Sequence, residues 1–314
     1  MKYFQNPMNF NTADPVMLYH DGKYYCYGTN CGDGYYVHSS SDLENWTKEA
    51  KVFEKYDGFY GVDRFWAPEV YYHNGKFIMA FSCRAANERH SIYIATADSP
   101  LGPFKDVNGG MPFFAPEYSV IDANLLFDDD GRVYMYYSRD CSNNIVDGIH
   151  ESHLYVVEIA ADLSGVLTEP VLCTKPDHDW EKLSGNTWRW NEGPCAFKRN
   201  GIYYLMYTAN FYASIHYAVG YATATSPFGP FTKSTSNPIL MSDGDTTMGT
   251  GHNNIFFSPD GKEMFCVYHS LKNRRNNDDG RVPNIDRMYF DEDGNLSIDG
   301  PTVTPQPMPS GTEQ

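Results

Sequence analysis

The sequence predicts an all-β protein, and more specifically a five-bladed β-propeller with four antiparallel strands in each blade. Three observations predict this fold. One hairpin pattern occurs five times, a second pair of short strands follows each hairpin, and no convincing amphipathic helix interrupts them. Four-stranded units repeated along a chain are typical of propeller blades arranged around a central channel.

The repeated hairpin consists of an apolar strand, a turn built on glycine and an aromatic-rich strand. Asp-Gly or Asn-Gly between alternating apolar runs indicates a hairpin, because type I′ turns require positive φ angles. The five copies are DPVMLYHDGKYYCYGTN (14–30), APEVYYHNGKFIMAFSC (67–83), DANLLFDDDGRVYMYYS (122–138), EGPCAFKRNGIYYLMYTAN (192–210) and HNNIFFSPDGKEMFCVYHS (252–270).

The second half of each unit supplies a third strand, a turn and a short fourth strand. The near-identity of SPLGPF (99–104) and SPFGPF (226–231) supports true repetition. An ordinary β-sandwich is the alternative, but it would not repeat its third-strand motif in register. We therefore expect one domain over residues 1–314, with blades starting near 14, 66, 122, 192 and 252, and a fraying tail, PQPMPSGTEQ.

The composition excludes several classes of partner. The formal net charge of −16 disfavours nucleic acids and anionic membrane surfaces, and no apolar run is long enough for a transmembrane helix. Aromatic residues make up 16% of the chain, which suits both β-strands and sugar-binding surfaces. Seven cysteines without a CxxC pair and a polar N-terminus predict a reduced, cytoplasmic protein, although a mature secreted form would begin in the same way. The oligomeric state is left open.

The residues at the heads of the five blades carry the chemistry. The first strand of a propeller blade lines the axial channel, so these positions are expected to converge on one pocket. Mutual repulsion and burial would keep one carboxyl protonated while another acts as a base, as glycoside hydrolysis requires. Taken singly, these residues also have structural interpretations: a cap, ion pairs, blade packing or a core histidine. The head residues are Asp14, Trp66, Asp122, Glu192 and His252.

Five short motifs around these positions resemble the marker motifs of glycoside hydrolase family 43, over residues 11 to 300. They are ADP (13–15), WAPEV (66–70), IDAN (121–124), NEGP (191–194) and GTGHN (249–253). The resemblance implies a five-bladed propeller that inverts anomeric configuration. It also implies that Asp14 is the general base, that Glu192 is the general acid, and that Asp122 orients the acid and keeps its pKa high.

The same resemblance implies further site residues. His252 would face a calcium ion on the propeller axis that is coordinated mainly by water. Trp66 would form an apolar wall for the sugar in the −1 subsite. The segment GRVPNIDRMYF (280–290) matches a family motif more loosely and implies that Arg281 contacts the sugar, while Arg274, Arg275 and Arg287 are expected on the surface. Phe65 and the segment NFYASIHYAVG (210–220) are candidates for the rim.

The expected substrate is a neutral oligosaccharide. We expect an exo-acting β-xylosidase or α-L-arabinofuranosidase that releases pentoses from xylo- or arabino-oligosaccharides. Two long loops, 138–153 and the tryptophan-rich 174–191, could close the pocket or provide a sugar platform. Endo-arabinanase is the alternative within the enzyme class. A non-catalytic sugar-binding propeller is the alternative of another class, because a fold alone does not determine function.

Overall fold

The computed structural model describes residues 2–273 and 276–312, which are built mainly of β-strands. The all-β prediction is confirmed: within these ranges there is no α-helix, and the two helical turns are 3₁₀ helices, Cys141–Asn143 and Asp179–Lys182. No helix in this part of the chain is long and apolar enough to cross a membrane. Arg274 and Arg275, which were expected on the surface, lie outside the described residues.

The chain opens with β1 (Tyr3–Phe4), and two four-stranded antiparallel sheets follow. The first sheet consists of β2 (Ala13–His20), β3 (Lys23–Thr29), β4 (Gly34–Ser40) and β5 (Thr47–Glu54). The second sheet consists of β6 (Gly61–His73), β7 (Lys76–Ala85), β8 (His90–Ala97) and β9 (Lys105–Asp106).

A ten-stranded sheet comes next. It holds β10 (Val120–Phe127), β11 (Val133–Arg139), β12 (Ile145–Val146), β13 (Ile149–Ile159), β14 (Val171–Thr174), β15 (Trp188–Arg199), β16 (Ile202–Ala209), β17 (Ala218–Ala224), β18 (Thr232–Lys233) and β19 (Leu240–Met241). Two antiparallel groups, β10–β11–β13–β14 and β15–β16–β17–β18, are joined by a parallel pairing of β13 with β15, at residues 150–152 and 188–190.

The last four-stranded sheet consists of β20 (Gly251–Phe257), β21 (Met264–Asn273), β22 (Asn276–Phe290) and β23 (Leu296–Ile298). Up to residue 312, where the described part of the chain ends, the tail is not frayed, contrary to the expectation. β24 (Gln306–Pro307) pairs with β1, and Ser310 donates its backbone N–H to Glu263 and its hydroxyl to Asp260. The tail is therefore attached to the last sheet and to the N-terminus.

The longer strands form five groups, which are β2–β5, β6–β9, β10–β14, β15–β19 and β20–β23. The apolar core is divided among five clusters, each shared by two neighbouring groups. Phe53 and Phe81 meet in the cluster between the first and second sheets, and Met17 and Phe265 meet in the cluster between the first and last sheets. The first strands of the groups, β2, β6, β10, β15 and β20, each contact the next, and β20 contacts β2. Phe65 is fully buried in the first cluster, so its expected place on the rim is wrong.

A buried carboxyl group on the second sheet makes stability depend on pH. Glu69 is buried on β6. Burial is the largest influence and raises its pKa to about 8, while hydrogen bonds from Tyr71, Asn124 and Asn254 act in the opposite direction. The unfolded chain loses this proton near pH 4.5. Between that pH and about 8 the folded state therefore holds more protons than the unfolded state, and the free energy of unfolding falls as pH rises.

Glu69→Gln is expected to make the free energy of unfolding less dependent on pH between 5 and 8, because the amide carries no titrating proton. Urea unfolding at both pH values would measure the difference, which we expect to shrink by a few kcal/mol. The exposed Glu292→Gln is the matched control. An identical fall in stability with pH in Glu69→Gln and the parent protein would contradict a protonated Glu69.

Candidate active site

The same irregularity occurs in the first strand of every group. In β2, β6, β10, β15 and β20 the register with the next strand shifts near the head residue. A β-bulge of this kind bends the strand and re-aims a side chain. One residue at each shift has a left-handed backbone, with φ of 51° at Asp14, 44° at Ala67, 59° at Asp122, 56° at Gly193 and 50° at His252.

These strands bring all six predicted site residues to one pocket. It is a cavity of about 410 Å³, a size within the usual range for small-ligand sites. The lining consists of Asp14, Trp66, Ile121, Asp122, Asp140, Trp190, Glu192, Phe211, Tyr212, Tyr217, His252 and Arg281. A slightly larger cavity, of about 530 Å³, is lined by the end of β10, by β15 and by the last sheet, and contains none of these residues.

Asp14 is held as an ionised carboxylate. Thr29 donates its hydroxyl to Oδ2 at 2.6 Å, and Arg281 Nη1 donates to Oδ1 at 2.9 Å. Burial alone would raise the pKa of Asp14, but the positive charge of Arg281, the largest opposing influence, helps to hold the pKa well below its usual value. Asp14 is thus available as a proton acceptor at neutral pH.

The neutral imidazole of His269 supports the backbone of Asp14. The backbone N–H of Asp14 donates to Nδ1 of His269 at 3.1 Å, so this nitrogen must be unprotonated and the ring proton resides on Nε2. Burial lowers the pKa of His269 to about 3, which agrees with a neutral ring. The imidazole therefore fixes the backbone at the bulge and does not form an ion pair with Asp14.

Glu192 is in the opposite electrostatic situation. Burial and then the neighbouring Asp122 raise its pKa well above the usual value, and the hydroxyl of Tyr217, which donates to Oε1 at 2.9 Å, only partly offsets them. No positive side chain of the described residues forms an ion pair with Glu192. The pKa of Glu192 therefore lies above that of Asp14, so that between the two values Glu192 is protonated while Asp14 is ionised.

Asp122 holds the backbone next to Glu192. Its Oδ2 accepts hydrogen bonds from the backbone N–H of Gly193 at 3.1 Å and from Ser138 at 3.3 Å. Burial raises the pKa of Asp122, and His252 acts to lower it. Gly193 is required here because a Cβ atom would lie 3.2 Å from Nδ1 of His252, on a backbone with φ of 56°.

His252 does not belong to a set of direct metal ligands. Its backbone N–H donates to Thr208 Oγ1 at 2.8 Å, and Nδ1 lies 3.5 Å from Oδ1 of Asp14. Across residues 2–273 and 276–312, no three His, Cys, Asp or Glu side chains are grouped so that they could hold a metal ion. Calcium prefers six to eight oxygen ligands, so the protein side chains alone do not fit a directly bound calcium.

Trp66 and Arg281 form part of the pocket wall. Trp66 stacks on His90, with ring centroids 4.3 Å apart, and presents its remaining surface to the pocket. The guanidinium of Arg281 lies 4.8 Å from the ring centroid of Tyr212, in addition to its bond to Asp14. The Arg287 side chain instead pairs with Glu263 and lies outside the pocket.

The sequence predicted some pocket residues only as members of longer segments, and it did not identify two residues that support Asp14. Asp140, Trp190 and Tyr217 line the pocket. Thr29 and His269 do not line it but form hydrogen bonds with Asp14. Of the three tryptophans in loop 174–191, Trp190 borders the pocket, Trp188 is exposed beside it, and Trp180 packs against Tyr207. From the segment 210–220, Phe211, Tyr212 and Tyr217 reach the pocket.

Comparisons with known proteins agree with this architecture. The family model described as "Glycosyl hydrolases family 43" matches residues 4–296. A crystal structure of a thermostable family-43 glycoside hydrolase superposes with a TM-score of 0.93 at 42% identity, covering 98% of this chain and 99% of the other.

This chain covers different shares of two curated relatives. The beta-D-galactofuranosidase xynD of Aspergillus niger is 31% identical, over 92% of this chain and 84% of its own. An arabinoxylan arabinofuranohydrolase of Paenibacillus polymyxa is 27% identical over 91% of this chain, which spans only 49% of that protein. Because the family model covers nearly all of the sequence, the chain belongs to glycoside hydrolase family 43.

Proposed function

We propose that the protein is an inverting, exo-acting glycoside hydrolase that releases single pentose units from arabino- or xylo-oligosaccharides. The observation that carries this proposal is the pairing of two unlike carboxyl groups in one pocket. Asp14 has a pKa below its usual value and Glu192 has a pKa well above it. Such a pair provides a base and an acid at the same pH.

The proposed reaction is a single displacement. A water molecule attacks the anomeric carbon as Asp14 accepts one of its protons, and the bond from that carbon to the glycosidic oxygen breaks. Glu192 gives its proton to the departing oxygen, so the leaving sugar is released as a neutral alcohol. Attack from the side opposite the leaving group inverts the anomeric configuration.

Asp122 would act through Glu192 as a positioning residue. Its hydrogen bond from Gly193 fixes the backbone next to the acid, and its charge raises the pKa of Glu192. Trp66 would provide the apolar wall for the sugar ring. Arg281 would hold Asp14 and reach the sugar hydroxyls from the same side.

A furanose substrate has the stronger support. The two curated relatives described above are named for activity on galactofuranosides and arabinofuranosides. The rings of α-L-arabinofuranose and β-D-galactofuranose have the same stereochemistry and differ in the exocyclic carbon. We therefore favour α-L-arabinofuranosidase over β-xylosidase activity, with endo-arabinanase as the alternative.

We also propose that the five groups of strands are the five blades of one propeller domain. Three observations support this: the cyclic contacts among the first strands, the five inter-group clusters and the recurrent bulge. Hydrogen bonds do not close any sheet of the described residues on itself, as expected for separate blades.

Calcium remains part of the proposal only as a water-coordinated ion near His252, and no step of the reaction depends on it. Elemental analysis of the purified protein would detect it, and a melting temperature unchanged by exhaustive chelation would contradict it. The cytoplasmic location likewise remains a prediction.

Product analysis tests the proposed activity. The panel consists of nitrophenyl α-L-arabinofuranoside, β-D-xyloside and β-D-galactofuranoside, linear arabino-oligosaccharides, and xylobiose. We expect free arabinose as the first product from the arabino-oligosaccharides. Products of mixed length would indicate an endo-arabinanase, and no turnover of any substrate would favour the sugar-binding alternative.

Tyr217→Phe is expected to move the alkaline limb of the kcat/KM profile to higher pH. The hydroxyl of Tyr217 stabilises the ionised form of Glu192, so its removal raises the pKa of the acid further. The profile would be measured on a nitrophenyl glycoside. Tyr204→Phe is the control, since that hydroxyl donates to the Gly294 carbonyl away from the pocket. A limb that stays in place or moves to lower pH would contradict the assignment.

A further inference from the structure

A row of aromatic rings leads from the pocket to the protein surface. We call the rings of Trp188, Trp190, Phe211 and Tyr212 the aromatic strip. The ring centroids of Trp188 and Trp190 are 6.3 Å apart, those of Trp190 and Phe211 are 5.7 Å apart, and those of Phe211 and Tyr212 are 4.7 Å apart. Trp190, Phe211 and Tyr212 border the pocket, while Trp188 lies beyond it.

The strip adjoins the acid side of the pocket. Trp188, Trp190 and Glu192 alternate along β15, and residues at this spacing lie on one face of a strand. The general acid protonates the leaving oxygen, so the leaving sugars must lie on the side of Glu192. A chain that leaves the pocket past Glu192 therefore meets Trp190 first and Trp188 next.

The outer part of the strip is accessible to a sugar chain. Its tryptophan rings are nearly parallel, whereas the planes of Trp190 and Phe211 are inclined by 43° and those of Phe211 and Tyr212 by 55°. Trp188 and Phe211 are each 39% exposed, so both side chains offer free surface to a ligand. The planes of the two tryptophan rings differ by only 18°. Sugars pack the apolar C–H faces of their rings against aromatic surfaces of this kind, which combine apolar area with few rotatable bonds.

The strip is also held in place before any ligand binds. His150 stacks on Trp188 with centroids 4.0 Å apart and donates its backbone N–H to the carbonyl of Thr187 at 2.9 Å. Ser184 accepts the backbone N–H of Phe211 at 2.8 Å. Binding to pre-positioned rings loses little conformational entropy.

A buried ion pair anchors the loop that precedes the tryptophans. Glu181, which is fully buried, accepts hydrogen bonds from Tyr207 at 2.6 Å and from Lys233 at 2.7 Å. These contacts join loop 174–191 to β16 and β18. They explain why a polar, glycine-containing loop presents its aromatic residues in a fixed row.

We propose that the aromatic strip binds the leaving-group part of a linear, neutral oligosaccharide, with Trp188 as the outermost contact. The occupant is neutral because the pocket that the strip continues contains four carboxyl groups and the chain has a net charge of −16. This inference rests on the proposed function, since the assignment of Glu192 as the acid defines the direction of the chain. It adds that the enzyme prefers substrates longer than a disaccharide.

Binding measurements in a catalytically inactive background test this inference. The protein would carry Glu192→Gln, with and without Trp188→Ala, and calorimetry would measure the affinity for linear arabino- and xylo-oligosaccharides of two to six residues. With Trp188 present, we expect affinity to increase with chain length in one of the two series. In Trp188→Ala the ratio of the affinities for the longest and shortest chains should fall about tenfold, or about 1.4 kcal/mol.

Two further variants separate ring contact from damage to the fold. Trp188→Phe keeps an aromatic face and should retain most of the length dependence. Tyr289→Ala removes an aromatic residue of similar exposure (49%), which lines the other cavity, and should leave all affinities unchanged. Equal length dependence in Trp188→Ala and its parent, or affinity independent of length in the parent, would overturn the proposal.

Hydrolysis by the wild-type protein separates this inference from the proposed function. Normal hydrolysis together with binding that Trp188→Ala does not alter would reject the strip and keep the enzyme. Length-dependent binding that Trp188→Ala abolishes, without hydrolysis of any substrate by the wild type, would keep the strip and reject the catalytic proposal.

Discussion

Glu192→Gln is expected to lower kcat on an unactivated disaccharide by about 10²–10⁴-fold, the usual contribution of general acid catalysis. The amide is isosteric and can still accept the hydroxyl of Tyr217, but it has no proton to give to the leaving oxygen. On a nitrophenyl glycoside, whose leaving group needs little protonation, the loss should be much smaller. The ratio of the two losses, measured by product release, identifies the acid.

The control for this variant is Glu158→Gln, an identical change on β13 at a residue that does not line the pocket. The melting temperature of Glu192→Gln should equal or exceed that of the parent, because burial of an ionisable carboxyl is no longer required. Retention of full activity on the disaccharide, or equal losses on both substrates, would show that Glu192 is not the acid.

Asp14→Asn is expected to lower kcat by a similar 10²–10⁴-fold, but equally on both substrates, because activation of water does not depend on the leaving group. Asparagine tolerates the left-handed backbone at this position, where φ is 51°, and can still accept from Thr29. The variant removes the negative charge and leaves Arg281 without its carboxylate partner. Steady-state kinetics on the disaccharide and the nitrophenyl glycoside would measure the effect.

Asp21→Asn provides a matched control for the change at Asp14. It makes the same substitution in the same hairpin, at a residue whose φ is 45°, but the side chain is exposed at the turn. Activity should remain at the level of the parent. A loss in Asp14→Asn that is confined to the disaccharide would instead assign Asp14 the role of an acid.

Much of the fold could be predicted because the sequence repeats its local signals. Asp21–Gly22 and Asn74–Gly75 form the predicted turns, and the strands on either side pair directly across them. Periodic apolar residues then place each sheet face against its neighbour. The parallel pairing of β13 with β15 could not be predicted, since it depends on how two long loops pack and not on a local motif.

The head residues of the site were predictable because they occur at equivalent positions of the repeat. Thr29 could have been found as well, because counting from the Asp21–Gly22 turn places it opposite Asp14, and the bulge moves it by only one residue, to Ala13. Tyr217 could be predicted only as part of the rim segment 210–220 and not singly, since it lies in a loop without a repeated pattern. The same applies to Trp188 and Trp190, whose tryptophan-rich segment suggested two different roles until its anchoring contacts were known.

The configuration of the first product tests the central claim, that Asp14 and Glu192 act from opposite sides of the scissile bond. Proton NMR within the first minutes of hydrolysis, before mutarotation, would identify the anomer released. From an α-L-arabinofuranoside we expect β-L-arabinofuranose, and from a β-D-xyloside we expect α-D-xylose. Release of the anomer with the configuration of the substrate would contradict a single displacement by water and with it the role of Asp14 as the base.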